Sequence, residues 1–337
     1  MHTASSRQLM AVIVCATASG LMAGMVGCAQ PSLLITPVSK RRQLVETELW
    51  RESWWALNKI ALIDVTGTLT NTHRRQLWGD GEHPVSLLLE QLDKARRDRL
   101  VKGVVFRINS PGGTVMASEL MHDEIIHFKK SGKPIIAVMM DVATSGAYYT
   151  ACACDEIVAQ PSTVTGSIGV VMQTFDVTGT MNLIGVKSDA ITSGEYKDIG
   201  SPLREMRPEE RELFQQVVND MYERFVDVVV EGRSELDDTA VRRLADGRIY
   251  TATQALEAGL IDRIANLREA VGMVKERIGS RRIRLVAYTR PLGYRPNYYA
   301  RPPDVTGGDV NLLNIDVPGW PYHTTPQFLY IWAPGAF

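Results

Sequence analysis

The chain has 337 residues, 45% of them hydrophobic and 22% charged, which is the composition of a globular protein with room for one large or two ordinary domains. A net charge of -1 argues against nucleic acid as the main partner, and four cysteines are too few for a disulfide framework.

The first residues differ from the rest. Residues 2–7 are polar with one positive charge, and residues 9–27 form a mostly apolar run that ends at Cys28. That is a secretory signal pattern, at the edge of the length needed to span a bilayer, so residues 1–28 read as a signal peptide or membrane anchor. The ending Met25-Val-Gly-Cys28 resembles a bacterial lipobox, with methionine where leucine is commonest. Two readings stand side by side: Cys28 as a lipid attachment site, or an uncleaved anchor with an incidental cysteine. Both place the bulk of the protein outside the cytoplasm, membrane-anchored in a bacterial cell envelope and facing the periplasm.

Residues 29–58 read as a polar connector ending near Trp54-Trp55, a pair that suits an amphipathic lead-in helix or a core edge. From residue 59 the pattern becomes regular. Residues 60–65 predict a strand, 84–100 a helix, 101–108 a strand, 116–130 a helix and 134–140 a buried strand, with a helix from 145 to 153 behind it. Short apolar β-runs alternating with helices imply a βαβ fold with a mainly parallel sheet. A long amphipathic helix follows from 208 to about 231, then a charged helix near 238–245. Residues 59–287 therefore form the expected folded domain. Residues 288–337 hold eight of the sixteen prolines and many aromatics without periodicity, and read as an irregular tail.

Two turns carry chemistry. Asn109-Ser-Pro-Gly-Gly113 falls between a strand and a helix, where outward backbone N–H groups and the helix dipole favour negative charge and glycines allow close approach. Such a turn suits an oxyanion hole, although taken alone it is better read as an ordinary strand-to-helix turn. Ser145, in Asp141-Val-Ala-Thr-Ser-Gly146, would emerge at a helix N-terminus, where serine is more often only a cap. A serine nucleophile needs a base, and the six histidines, at 2, 73, 83, 122, 127 and 323, leave the stretch from 128 to 322 empty. Beyond Ser145 the lysines are Lys187, Lys197 and Lys275, and a desolvated lysine can release its proton where arginine cannot. Cys152 and Cys154 lie two apart in an apolar stretch and read as small buried hydrophobes rather than a metal pair.

Taken together, Asn109-Ser-Pro-Gly-Gly, Thr144-Ser-Gly-Ala-Tyr-Tyr, Thr165-Gly-Ser-Ile-Gly, Ser193-Gly-Glu-Tyr-Lys-Asp and Asp246-Gly-Arg-Ile-Tyr-Thr resemble the signal peptide peptidase A family in its short, single-repeat form, from about residue 59 to 262. The resemblance implies a Clp/crotonase-like α/β fold and a Ser-Lys serine peptidase. Ser145 would be the nucleophile, Lys197 the general base, Gly113 and Gly146 the oxyanion amides, and Ser167 the residue that orients the lysine. Position 170, where a Clp-type protease would carry its histidine, is Val170. The implied chemistry needs no metal or other cofactor. Implied partners are apolar peptides, among them cleaved signal peptides, the membrane, and further copies of the chain in a ring-like homo-oligomer whose site is shared between subunits. Two competing readings are a non-proteolytic crotonase-like acyl-binding protein and a membrane scaffold with a decayed site. The former has no use for a Ser-Lys pair, and the intact pair speaks against the latter.

Overall fold

The computed structural model describes residues 44–71, 83–290 and 328–332, so the expectations for residues 1–28, Cys28 included, and for most of the tail lie outside the described residues. Strands β1 (Val45–Arg51) and β2 (Lys59–Thr66) lead to helix α1 (Pro84–Arg97), then β3 (Val101–Ser110), β4 (Gly112–Thr114), α2 (Val115–Lys129), β5 (Ile135–Thr144) and α3 (Gly146–Ala151). Next come β6 (Glu156–Ala159), β7 (Val164–Gly166), β8 (Val171–Met172), α4 (Thr178–Leu183) and the long α5 (Pro208–Gly232). The described part closes with α6 (Asp238–Leu244), β9 (Ile249–Thr251), α7 (Ala252–Glu257), β10 (Arg263–Ile264), α8 (Leu267–Arg277), β11 (Arg284–Thr289) and β12 (Phe328–Ile331).

The main sheet runs β1-β11-β2-β3-β5-β6-β10. From β11 to β10 every neighbouring pair is parallel, as the alternation of apolar runs and helices implied. Both faces of this sheet are covered, which is why its strands are nearly continuous apolar runs. Ala61, Ile63, Val104, Phe106, Ala137 and Met139 point into the larger core, and Ile60, Leu62, Val105, Ile136 and Val138 point into a second core under α8. This is the two-residue alternation of a strand, with apolar side chains on both faces.

The structure departs from the expected connector and tail. Strand β1 lies inside residues 29–58 and pairs antiparallel with β11, so the sheet begins at Val45 rather than at residue 59. Its alternating Glu46 and Glu48 hid it. An edge strand tolerates such charges, and here Glu46 pairs with Lys59 at 2.7 Å. Trp54 and Trp55 occupy the turn between β1 and β2 and are exposed, packed edge to face at 5.0 Å. β11 continues to Thr289, and β12 comes from the tail itself.

Candidate active site

Ser145 ends β5 and begins α3, with φ 55° and ψ -120°. A serine in this region is strained, and the strand-turn-helix context is that of a nucleophile elbow, which drives a hydroxyl out at the C-terminal edge of a parallel sheet. The turn is held from outside: the Ser145 N–H donates to the Gly166 carbonyl at 2.7 Å, and its own carbonyl accepts from Tyr149 N–H at 2.9 Å. Its hydroxyl makes no capping bond, which leaves the oxygen uncommitted.

The glycine turn closes over this elbow. Gly112, at φ 97°, runs so near α3 that a Cβ built on it would stand 2.8 Å from the Gly146 nitrogen. Gly113 lies against the backbone of Leu69, whose carbonyl oxygen would be 1.9 Å from an added Cβ. Gly146 has equally little room, with the Ser118 Oγ 2.2 Å from the position of an added Cβ. The packing thus demands glycine at all three positions and brings the expected oxyanion residues Gly113 and Gly146 to one place beside Ser145. Upstream, the Asn109 side chain ties β3 to β5, donating to Asp141 at 3.1 Å and accepting from Val142 N–H at 3.2 Å.

Ser167 follows the residue that accepts from Ser145. Gly166 and Ser167 both take positive φ, 83° and 51°, and the Ser167 N–H donates to the Arg248 carbonyl at 2.7 Å. Lys197 stands apart. Its side chain is exposed, on the segment between β8 and α5, and shares no hydrogen bond with Ser145 or Ser167 among the described residues. This segment is fixed at its far end by charge. Arg204 pairs with Asp198 at 2.6 Å and with Glu210 at 2.5 Å, and Arg207 pairs with Glu210 at 2.6 Å and donates to the Glu195 carbonyl. The two guanidinium groups hold the Glu210 carboxyl down to about 2. Lys197 therefore lies between two anchored residues, Glu195 and Asp198, at the N-terminal end of α5. The same segment presents Leu183, Ile184, Val186 and Ile191 to solvent, Ile191 completely.

Cys152 and Cys154 are buried in the core, and burial raises both thiols, that of Cys152 to about 12. Both act as the buried hydrophobes their spacing suggested.

Missed by the sequence reading is β12. It lies between β4 and β8, antiparallel to both, and thus across the mouth of the elbow. Tyr330 is fully buried against Tyr149 and Phe225.

Residues 127–280 match Peptidase family S49. "Putative signal peptide peptidase SppA" of Enterococcus faecium is 36% identical over 68% of this chain and 67% of that protein. "Putative protease slr0021" of Synechocystis sp. is 35% identical over 66% of this chain and 75% of its own length. "Protease 4" of Haemophilus influenzae is 32% identical over 66% of this chain, which spans only 35% of that longer protein. Among solved structures, a ClpP1 mutant from Listeria monocytogenes aligns over 62% of this chain and 94% of its own, with 15% identity and a TM-score of 0.41.

Proposed function

The chain belongs to peptidase family S49 and is a serine peptidase, and on that premise we propose that Ser145 is its nucleophile, with Lys197 of a neighbouring copy as the general base. The observation that carries this reading is the strained backbone of Ser145 with Gly113 and Gly146 converging on it. The hydroxyl oxygen attacks the peptide carbonyl carbon while Lys197 takes its proton. The negative charge that develops on the carbonyl oxygen is met by the amides of Gly113 and Gly146. The lysine returns the proton to the departing amine, and water, deprotonated in the same way, hydrolyses the acyl-serine.

An oligomer answers two observations at once. Lys197 is exposed within one chain, and its segment presents bare apolar side chains of the kind that mark an interface. Covering that segment with a second copy would desolvate the lysine, and desolvation favours the neutral amine a base must be. Ser167, one residue beyond the Gly166 that holds the Ser145 turn, would orient the incoming amine.

The substrates are apolar peptides, including signal peptides left after secretion, as the name of the Enterococcus relative suggests. The apolar run before Cys28 would keep the peptidase at the membrane that holds them, on its extracytoplasmic side, by lipid or by span. The test is hydrolysis of a signal-peptide-derived substrate by the wild-type chain, Ser145→Ala and Lys197→Ala, with fluorophosphonate labelling read by mass. The proposal expects both variants to be inactive and the label to sit on Ser145. Label on another serine, or activity surviving either substitution, would overturn it.

A further inference from the structure

A groove of about 250 Å³ opens between α2 and α5, lined by Glu119 and Asp123 of α2, Tyr149 of α3, and Arg224, Asp227 and Val228 of α5. Helical spacing gathers these side chains: Glu119 and Asp123 are one turn apart on their helix, and so are Arg224 and Val228 on theirs. The walls carry three acidic groups and one basic group. Arg224 is already engaged, pairing with Glu119 across the groove at 3.0 Å. Asp123 meets His122 at 3.5 Å, but burial holds that imidazole below its usual pKa, so it adds no charge at neutral pH. Asp227 pairs with no cation among the described residues. The groove is therefore left negative.

Tyr149 forms its floor. This residue is 5% exposed, and its ring is enclosed by His122, Phe225 and Tyr330, at centroid distances of 5.2, 5.1 and 5.4 Å. What it gives to the groove is its hydroxyl, which has no hydrogen-bond partner among the described residues. Buried tyrosines ordinarily pair that group, as Tyr148, Tyr250 and Tyr330 do by donating to backbone carbonyls. Tyr288 also lacks a partner, but its oxygen is sealed in the core, whereas that of Tyr149 meets an open groove. Burial, with the carboxylates of Glu119 and Asp123, pushes the Tyr149 pKa far up, so the group stays a phenol able to accept or donate.

Carboxylates on two walls, a phenol oxygen at the floor and the methyl groups of Val228 suit a cation carried on an apolar stem, which is the form of a lysine or arginine side chain. The groove is also tied to the elbow. The Tyr149 N–H donates to the Ser145 carbonyl at 2.9 Å, so the two residues are separated by one turn, a rise of about 6 Å. A long side chain a few residues from a bond held at Ser145 can reach it. We propose that this groove is a subsite for a lysine or arginine of the substrate, within about four residues of the cleaved bond. The inference rests on Ser145 being the nucleophile, and it narrows the substrates to peptides that join an apolar stretch to a basic one. Signal peptides have that form, a positively charged start followed by an apolar run. A cation held equally before and during attack lowers KM and leaves kcat alone.

The experiment uses the full chain, as wild type, Asp123→Asn, Asp227→Asn, both together, and Tyr149→Phe. The substrates are copies of one apolar peptide in which a single lysine, or its uncharged acetyl-lysine counterpart, is moved through the four positions on each side of the scissile bond. At one or two positions wild type is expected to favour lysine about tenfold in kcat/KM, through KM, with the preference shrinking at high salt. The double asparagine variant loses the preference while cutting the acetyl-lysine peptide as wild type does, which certifies its fold. Each single asparagine and Tyr149→Phe lose part of it, about threefold. Both aspartates are exposed, so their asparagines leave the core untouched. No preference for lysine at any position in wild type, or a preference undiminished in the double variant or in Tyr149→Phe, would refute the subsite. Failure of a fluorophosphonate to label Ser145 in wild type would instead refute the nucleophile.

Discussion

Gly146→Ala tests the packing that makes the oxyanion site. The new methyl group would stand 2.2 Å from the Ser118 Oγ, 3.2 Å from the Ser118 Cβ and 3.1 Å from the Tyr330 carbonyl oxygen. Ser118 cannot easily give way, being fully buried with its hydroxyl donating to the Thr114 carbonyl at 3.0 Å. Two responses remain. If Ser118 turns aside it loses that bond, about 0.5–1.5 kcal/mol, on top of an overpacking cost of about 1–3 kcal/mol. If instead α3 backs away by the roughly 1 Å needed, the Gly146 N–H leaves the reacting carbonyl, and losing one such donor costs about a hundredfold to a thousandfold in kcat. The backbone itself does not forbid alanine, because Gly146 is outside the positive-φ set. Ser118→Ala removes the oxygen responsible for the shortest contact, leaving neighbours at 3.1 and 3.2 Å that need shift only by tenths of an ångström. The Ser118→Ala, Gly146→Ala double variant should therefore recover about 1–3 kcal/mol of coupling in a cycle read by denaturant midpoint and by kcat/KM. Gly146→Ala alone with wild-type stability and activity would refute the argument, as would a double variant no better than the single.

Relative to Ser145→Ala, Ser145→Gly exchanges a buried methyl group for relief of about 1–3 kcal/mol of backbone strain, so by denaturant midpoint it should be no less stable than Ser145→Ala; a deficit of about 1 kcal/mol or more would contradict the strain. Glu210→Gln should loosen the segment that carries Lys197 and lower kcat by about an order of magnitude or more, as a catalytic group shifts from its place. Because the Glu210 carboxyl titrates at about 2 in the folded chain against 4.5 ordinarily, its ion pairs contribute fully above pH 4.5, and the contribution is lost as the pH falls toward 2. Acid unfolding followed from pH 5 to 2 should therefore be flatter in Glu210→Gln, and identical curves would remove Glu210 from the account. Cys152 and Cys154, buried and with thiols raised in pKa, should react with a thiol reagent only on unfolding; modification of the native chain at the rate of a free thiol would contradict their burial.

The parallel sheet was legible because residues 60–65, 101–108 and 134–140 are apolar on both faces, and a doubly covered strand reads as a continuous apolar run. The elbow and the glycine turn were legible for a related reason. At Gly112, Gly113 and Gly146 an added Cβ would meet backbone or a buried side chain within 3 Å, so the fold disfavours any side chain there and the glycines stand out in the sequence. Strand β1 escaped notice because Glu46, Glu48 and Arg51 break up its apolar pattern with charge, as suits an edge. β12 was hidden differently. Four residues in a proline-rich tail carry no local signal for a partner, and both its partners, Gly112–Thr114 and Val171–Met172, lie more than a hundred residues away. The available hint was the alternation of Phe328 and Tyr330 in an otherwise aperiodic stretch. That Lys197 would stand exposed in a single chain followed only from the family resemblance, with its implied site shared between subunits, since its spacing from Ser145 is the same whether the two meet within one chain or across two.

The central claim is that Ser145 of one copy works with Lys197 of another, and the most direct measurement is the activity of Ser145→Ala and Lys197→Ala chains expressed together. Each variant alone is expected to be inactive, and the mixed assembly to recover a substantial fraction of wild-type hydrolysis, because some interfaces then pair an intact serine with an intact lysine. A mixed assembly as inactive as its two parents would contradict a site shared between subunits.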